Sequence, residues 1–79
     1  MNIIEMWREP RTLEVLGQKR SSAWSQVSQG LLTPPVKISE RSIAWPSNEI
    51  QAINAARIAG KSTDEIRALV AKLVAARRK

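Results

Sequence analysis

The chain has 79 residues, no Cys, no His and a formal net charge of +6. Without Cys there is neither a disulfide nor a thiolate metal site, and without His the commonest metal ligand and neutral-pH acid–base group is missing, so zinc and enzyme readings lose their usual residues. The seven acids are scattered singly except for Asp64-Glu65 at an expected helix start, which leaves no paired-carboxylate site; no cofactor and no catalysis are expected.

Met1 to Trp7 is partly apolar and predicts a short leading strand or arm. Its opening, MNIIEMWREP, is too short and too charged for a signal peptide. Pro10 suits the first position of a helix, where its missing N–H costs nothing. Leu13 and Leu16 then share one face and Gly17 ends the segment. A second helix is predicted from Lys19 to Gly30, with Ala23 and Val27 inward, Ser21, Ser25 and Ser28 outward and Trp24 on the flank. Two short helices joined at Gly17-Gln18-Lys19 have the layout of a helix-turn-helix.

Pro34-Pro35 keeps the following entry extended. Val36 and Ile38 alternate with Lys37 and Ser39, and Ile43 and Trp45 alternate with Ser42 and Ala44. This predicts a hairpin with Val36, Ile38, Ile43 and Trp45 on one side and a free tip at Ser39-Glu40-Arg41-Ser42. Pro46 closes the second strand. Ser47 is the expected N-cap of a third helix, with Glu49 in its first turn to favour the helix dipole. Ile50, Ile53 and Ile58 mark the predicted buried side, Ala52, Ala55 and Ala56 allow close packing, and Gly60 ends the helix.

Ser62-Thr63-Asp64-Glu65 reads as a capping box. Ile66, Leu69, Val70, Leu73 and Val74 follow the i, i+3, i+4 rule of an amphipathic helix. Part of this stripe is expected on Leu13, Leu16 and the Ile50–Ile58 helix, with the rest left for self-association. The expected fold class is α+β, mostly helical: a winged helix-turn-helix over residues 1–60, and a C-terminal amphipathic helix over residues 61–79 that packs on it or pairs with a partner.

The sequence pI is about 10.9, and a domain pI above ~9 is the footprint of a polyanion binder. No acid occurs between Val15 and Ser39, where Lys19, Arg20 and Lys37 stand. Arg67, Lys72, Arg77, Arg78 and Lys79 add a second basic region, whose terminal Arg77-Arg78-Lys79 is expected either to add nonspecific affinity or to fray. Nucleic acid is the favoured partner, ahead of an acidic membrane surface or an acidic protein. No apolar run approaches the ~18 residues of a membrane span, so a cytoplasmic protein is expected, with no membrane partner.

A run of spaced residues then resembles the AlpA-type prophage regulators, small relatives of phage excisionases and of the MerR-type DNA-binding domain. Gly17, Arg20-Ser21-Ser22, Trp24 and Gly30 keep the spacing of that family's recognition helix. Pro35-Val36-Lys37, Arg41, Trp45 and Glu49 match its wing and the helix after it. The chain departs from the family pattern at Lys19, where Ser is usual, near Trp24, where Tyr is usual, at Leu32-Thr33 in place of Phe-Pro, and at Arg11-Thr12 in place of an acidic-Val pair. These departures bear on the base sequence recognised more than on the fold. The resemblance implies a transcriptional or excisionase-like role on a prophage or integrated element, with an integrase or a second copy of the chain as protein partner.

Candidate DNA-binding residues follow. Lys19 and Arg20 head the recognition helix, where phosphates and base edges come within reach. Ser21, Ser22 and Ser25 permit close approach to a groove but specify little. Trp24 is expected chiefly to pack, partly exposed, with its indole N–H free for a phosphate, while Trp45 is expected in the core. Lys37 and Arg41 belong to the wing, and Arg41 at its tip can follow phosphates or enter a narrow minor groove. The alternative is a protein-interaction module that uses the C-terminal helix, with the basic charge serving an acidic partner. A peripheral membrane binder with a basic amphipathic helix is a third reading.

Overall fold

The structure, a computed structural model, describes residues 3–78. Met1, Asn2 and Lys79, the ends of the predicted leading strand and basic terminus, lie outside the described residues. The order is β1 (Met6–Trp7), α1 (Glu9–Leu16), α2 (Arg20–Ser28), β2 (Val36–Ser39), β3 (Ser42–Pro46), α3 (Ser47–Ile58) and α4 (Thr63–Ala76). The fold is α+β and mostly helical, consistent with a winged helix-turn-helix carrying an extra C-terminal helix.

The turn between α1 and α2 follows from Gly17. Its φ of 67° is a left-handed value that glycine adopts without steric cost, and its N–H turns back to the Glu14 carbonyl at 3.2 Å. Gln18 N–H reaches the Leu13 carbonyl at 3.1 Å and completes the stop. Lys19 is then extended and serves as the N-cap position of α2 without a side-chain cap bond.

The hairpin is part of a three-stranded antiparallel sheet in the order β1-β3-β2. The leading segment pairs Met6 with Pro46 and Trp7 with Trp45, so β3 becomes the central strand. Ala44 and Trp45 are neighbours that point to opposite faces, and both are fully buried. The expectation that Val36, Ile38, Ile43 and Trp45 share one side is not met. Val36 pairs with Ala44, and Lys37 pairs with Ile43; directly opposed residues share a face, so it is Lys37 that shares the face of Ile43 and Trp45. The register then shifts between Lys37 and Ser39. Ile38 is the extra residue of this irregularity and stands 45% exposed.

The core gathers Trp45, Leu32, Ala23, Ile50, Ile53, Ile66 and Val70, with Leu13, Leu16, Val27, Leu69, Leu73 and Val74 half-buried around them. The α4 stripe therefore faces inward as its periodicity predicts, and it packs chiefly on α3. The capping box is present in full: Glu65 N–H donates to Ser62 Oγ at 3.2 Å and Ser62 N–H donates to Glu65 Oε1 at 2.9 Å. The Ser62 backbone N–H and hydroxyl, with Lys61 nearby, lower the Glu65 carboxyl from its ordinary pKa.

Three expectations for the α3 and α4 ends are corrected. Ser47 does not cap α3. Its Oγ accepts Glu5 N–H at 2.7 Å while its own N–H donates to the Glu5 carbonyl at 2.7 Å, so the side chain is spent on the segment that leads into β1. Ile58 is not buried but 87% exposed. The position one turn beyond Ile53 on the inner side is Arg57, whose Nη2 donates to Gln26 Oε1 of α2 at 2.8 Å. Arg77 neither frays nor stands free. Glu49 is only 3% exposed, and Arg77 grips its carboxylate with two N–H groups, Nε at 2.7 Å among them. The same guanidinium donates to the Pro34 carbonyl at 2.8 Å.

One fork thus ties the end of α4 to the start of α3 and to the segment entering the wing. Removing it strands a buried carboxylate. Arg77→Ala should cost about 3 kcal/mol, the low end for a buried pair because Arg77 keeps some exposure. The Glu49→Gln/Arg77→Met double variant should regain most of that loss. Urea unfolding of the three chains checks both outcomes.

Candidate nucleic-acid interface

Helix α2 presents its first turn to solvent. Lys19, Arg20, Ser21, Ser22 and Ser25 are all exposed, and Ser28 and Gln29 continue the polar face. The opposite face carries Ala23, 1% exposed, and half-buried Val27. Small hydroxyl side chains along this outer face leave the helix backbone open to close approach. Ser25 is partly engaged: its Oγ accepts Gln29 Nε2–H at 2.9 Å, and its carbonyl accepts the Ser28 hydroxyl at 2.7 Å.

Trp24 packs as expected, partly exposed. Its ring is half-buried and meets Trp45 edge to face, with centroids 5.7 Å apart. Its indole N–H is not free, because it donates to Glu9 Oε2 at 3.0 Å. The other oxygen of that carboxylate lies 3.3 Å from Arg20 Nε.

The wing divides as a root and a tip. Trp45 anchors the root, fully buried, with Nε1–H donated to the Thr33 carbonyl at 2.7 Å. Glu40 and Arg41 form the turn at the tip, and both are exposed, as is Lys37 on β2. Among the described residues Lys19, Lys37 and Arg41 make no ion pair and no side-chain hydrogen bond.

A chain of contacts connects the two exposed ends. Arg20 leans on Glu9, the first residue of α1. Arg8 precedes Glu9 and reaches the wing, its Nη2 donating to Ser42 Oγ at 3.3 Å. Ser42 in turn follows Arg41. Arg41, Arg8, Arg20 and Lys19 therefore succeed one another along the ends of β3, α1 and α2. Arg8 was not among the sequence-derived candidates. Only the β1–β3 pairing carries it to the wing, and no local signal marks it. Arg11, one turn further along α1, lies 5.3 Å over the Trp7 ring and is paired to Glu14 at 2.8 Å.

The charge balance sharpens this region. Among the described residues, Glu9, Glu14, Glu49, Asp64 and Glu65 each take part in an ion pair, and Glu40 is the acid beside the exposed wing cations that does not. A groove of ≈ 570 Å³ lies elsewhere, between Gly30 and α4, at the far end of α2 from Arg20. Among the described residues no group of three or more His, Cys, Asp or Glu is placed to hold a metal ion, and no helix is long and apolar enough to cross a membrane.

Two short helices joined at a glycine turn and followed by an anchored hairpin with an exposed, charged tip are consistent with a winged helix-turn-helix. The chain belongs to the family described as prophage CP4-57 regulatory protein (AlpA), whose model matches residues 5–58, from the approach to β1 through α3. No curated protein matches the chain, and no solved structure does. Helix α4 lies beyond the matched segment.

The root-and-tip division has a measurable consequence. Trp45→Ala should cost about 3–5 kcal/mol through the cavity and the lost N–H bond, enough to unfold a marginal domain. Arg41→Ala should change stability by no more than about 0.5 kcal/mol, as at an exposed site without partners. Thermal melts followed by circular dichroism separate the two.

Proposed function

We propose that this protein binds double-stranded DNA with sequence selectivity and acts without catalysis. Helix α2 enters the major groove by its N-terminal turn, and the hairpin lies along the backbone or in the adjacent minor groove. The observation that carries the reading is the succession of exposed cations from Lys19 and Arg20 through Arg8 to Arg41, set on two elements rigidly rooted in one core. Membership of a prophage regulatory family supports it.

Each residue then has a role. Lys19, Lys37, Arg8 and Arg41 meet phosphates and set the register of the domain on the duplex. Arg20 reaches a base edge. Ser21, Ser22 and Ser25 let the helix sit deep and accept or donate single hydrogen bonds. Trp24 contributes through the packing of α2 on the wing root rather than through its N–H, which Glu9 already holds. Glu40 beside Arg41 disfavours an indiscriminate basic clamp at the tip.

The proposal extends to the biology of the family: transcriptional control of a prophage gene, or excisionase-like control of recombination direction. An integrase or a second copy of the chain is the protein partner this implies, and the protein then works in the cytoplasm on DNA. If the chain ignores duplex DNA at low salt, the charge serves an acidic protein partner instead, with α4 as the contact helix.

Salt dependence of binding is the decisive measurement. Four phosphate contacts by cations predict a slope of about −3.6 for log Kobs against log salt on duplex DNA. Arg41→Ala should lower affinity on specific and random duplexes alike and make that slope shallower by about 1. Binding by Arg41→Ala equal to that of the parent would leave the hairpin a purely structural element.

A further inference from the structure

Glu9 occupies an unusual place for an acid in a basic surface. It sits at the first position of α1, where a carboxylate favours the helix dipole. Yet both of its oxygens are spent off its own helix. Oε2 accepts Trp24 Nε1–H at 3.0 Å, and Oε1 lies 3.3 Å from Arg20 Nε. Arg20 and Trp24 are four residues apart, so they stand one above the other on the same side of α2. One carboxylate thus spans two successive turns of the helix.

The carboxylate is itself held. Its side chain is 24% exposed, and the Trp24 ring that binds it packs on Trp45 at the wing root. Arg20, by contrast, is 73% exposed. An ion pair so open to water adds little stability, so its effect is on geometry. The contact is made through Nε. Neither Nη group of Arg20 has a hydrogen-bond partner among the described residues. The contact is an ion pair and not a hydrogen bond; an arginine drawn to an acid on its Nε side leaves its two Nη groups end-on as a fork that matches the O6 and N7 acceptors of guanine in the major groove.

We infer that Glu9 is a positioning residue for Arg20 and that the recognised site contains a guanine read by this fork. The inference rests on the DNA-binding reading above and names one base of its ligand. The carboxylate also removes two competing outcomes: a freely rotating Arg20 that follows any phosphate, and an N-terminal turn of α2 attractive to every duplex. Glu9 thereby trades nonspecific affinity for selectivity.

The test is selection of duplexes from a random pool by the parent, Glu9→Gln, Arg20→Lys and the double variant, with Glu14→Gln as the control. Glu9→Gln keeps an acceptor for the Trp24 N–H and loses the charge that anchors Arg20. The parent should enrich a site with a guanine, and Glu9→Gln should lose about tenfold of the preference for it. Glu14→Gln removes the same charge from α1 and should keep the full preference. Arg20→Lys keeps the positive charge without the fork and should lose the preference too. The double variant should lose no more than Arg20→Lys alone, since Glu9 acts through Arg20.

A parent that enriches no sequence overturns the DNA reading, and this inference with it. A parent that enriches a site while Glu9→Gln discriminates equally overturns the inference alone. Additive losses in the double variant overturn it as well. Were Glu9→Gln to melt well below the parent, the comparison of the double variant with Arg20→Lys would be made below both transitions, and an additional loss there would count against the inference.

Discussion

Burial of Trp45 is the constraint on which the rest of the molecule depends. Trp is the only aromatic residue type in this chain, with three copies, and this one is fully enclosed. It lies on the central strand, so the leading strand and the wing are built on either side of it. Its indole N–H satisfies the Thr33 carbonyl in the segment between α2 and the wing. Its ring receives the edge of Trp24 and so fixes how α2 meets the sheet. Helix α2 and the wing are thereby referred to a single side chain. In a domain this small, where the core is thin and total stability is only several kcal/mol, such sharing is what allows an exposed wing to keep a defined direction.

The acids complete this arrangement more than their number suggests. Glu49 is buried and gripped by Arg77, which closes α4 onto α3 and onto the wing entry. Asp64 and Glu65 lie in the first turn of α4, where Glu65 serves the capping box and Asp64 meets Arg67. Glu14 neutralises Arg11 beside Trp7. Acids spent in these places leave Arg8, Lys19, Lys37 and Arg41 without an ion pair among the described residues, while Arg20 is met by Glu9. A positive face thus arises as much from where the negative charge has gone as from where the lysines and arginines stand. Field strength near a polyanion depends on that net distribution and not on the residue count.

Local signals were legible where the partner groups lie within one turn of each other. The Ser62–Glu65 box, the Gly17 stop, the inward stripe of α4 and the order of helices and hairpin all follow from spacing of a few residues. The spaced match from Pro10 to Ile50 also carried the family, which the comparison over residues 5–58 bears out. Reading failed where a residue had a distant competitor for its group. Ser47 has the type and place of a helix cap, but Glu5 takes its hydroxyl. Trp24 has an N–H that spacing leaves free, but Glu9 takes it. Ile38 alternates correctly along the chain, but the irregularity at the wing puts it out of register.

By itself, then, the amino-acid order determined the elements, their stops and caps, the basic character and the regulatory family, because these rest on short-range geometry and composition. Tertiary structure alone decided which polar groups are already spent and which remain for a ligand. It buried Glu49 against Arg77, brought Arg8 to the wing and set one carboxylate between Arg20 and Trp24. The physical reason is that hydrogen-bonding groups are satisfied by whatever the folded chain brings within about 3 Å, and for these residues the partners stand 11 to 34 positions away.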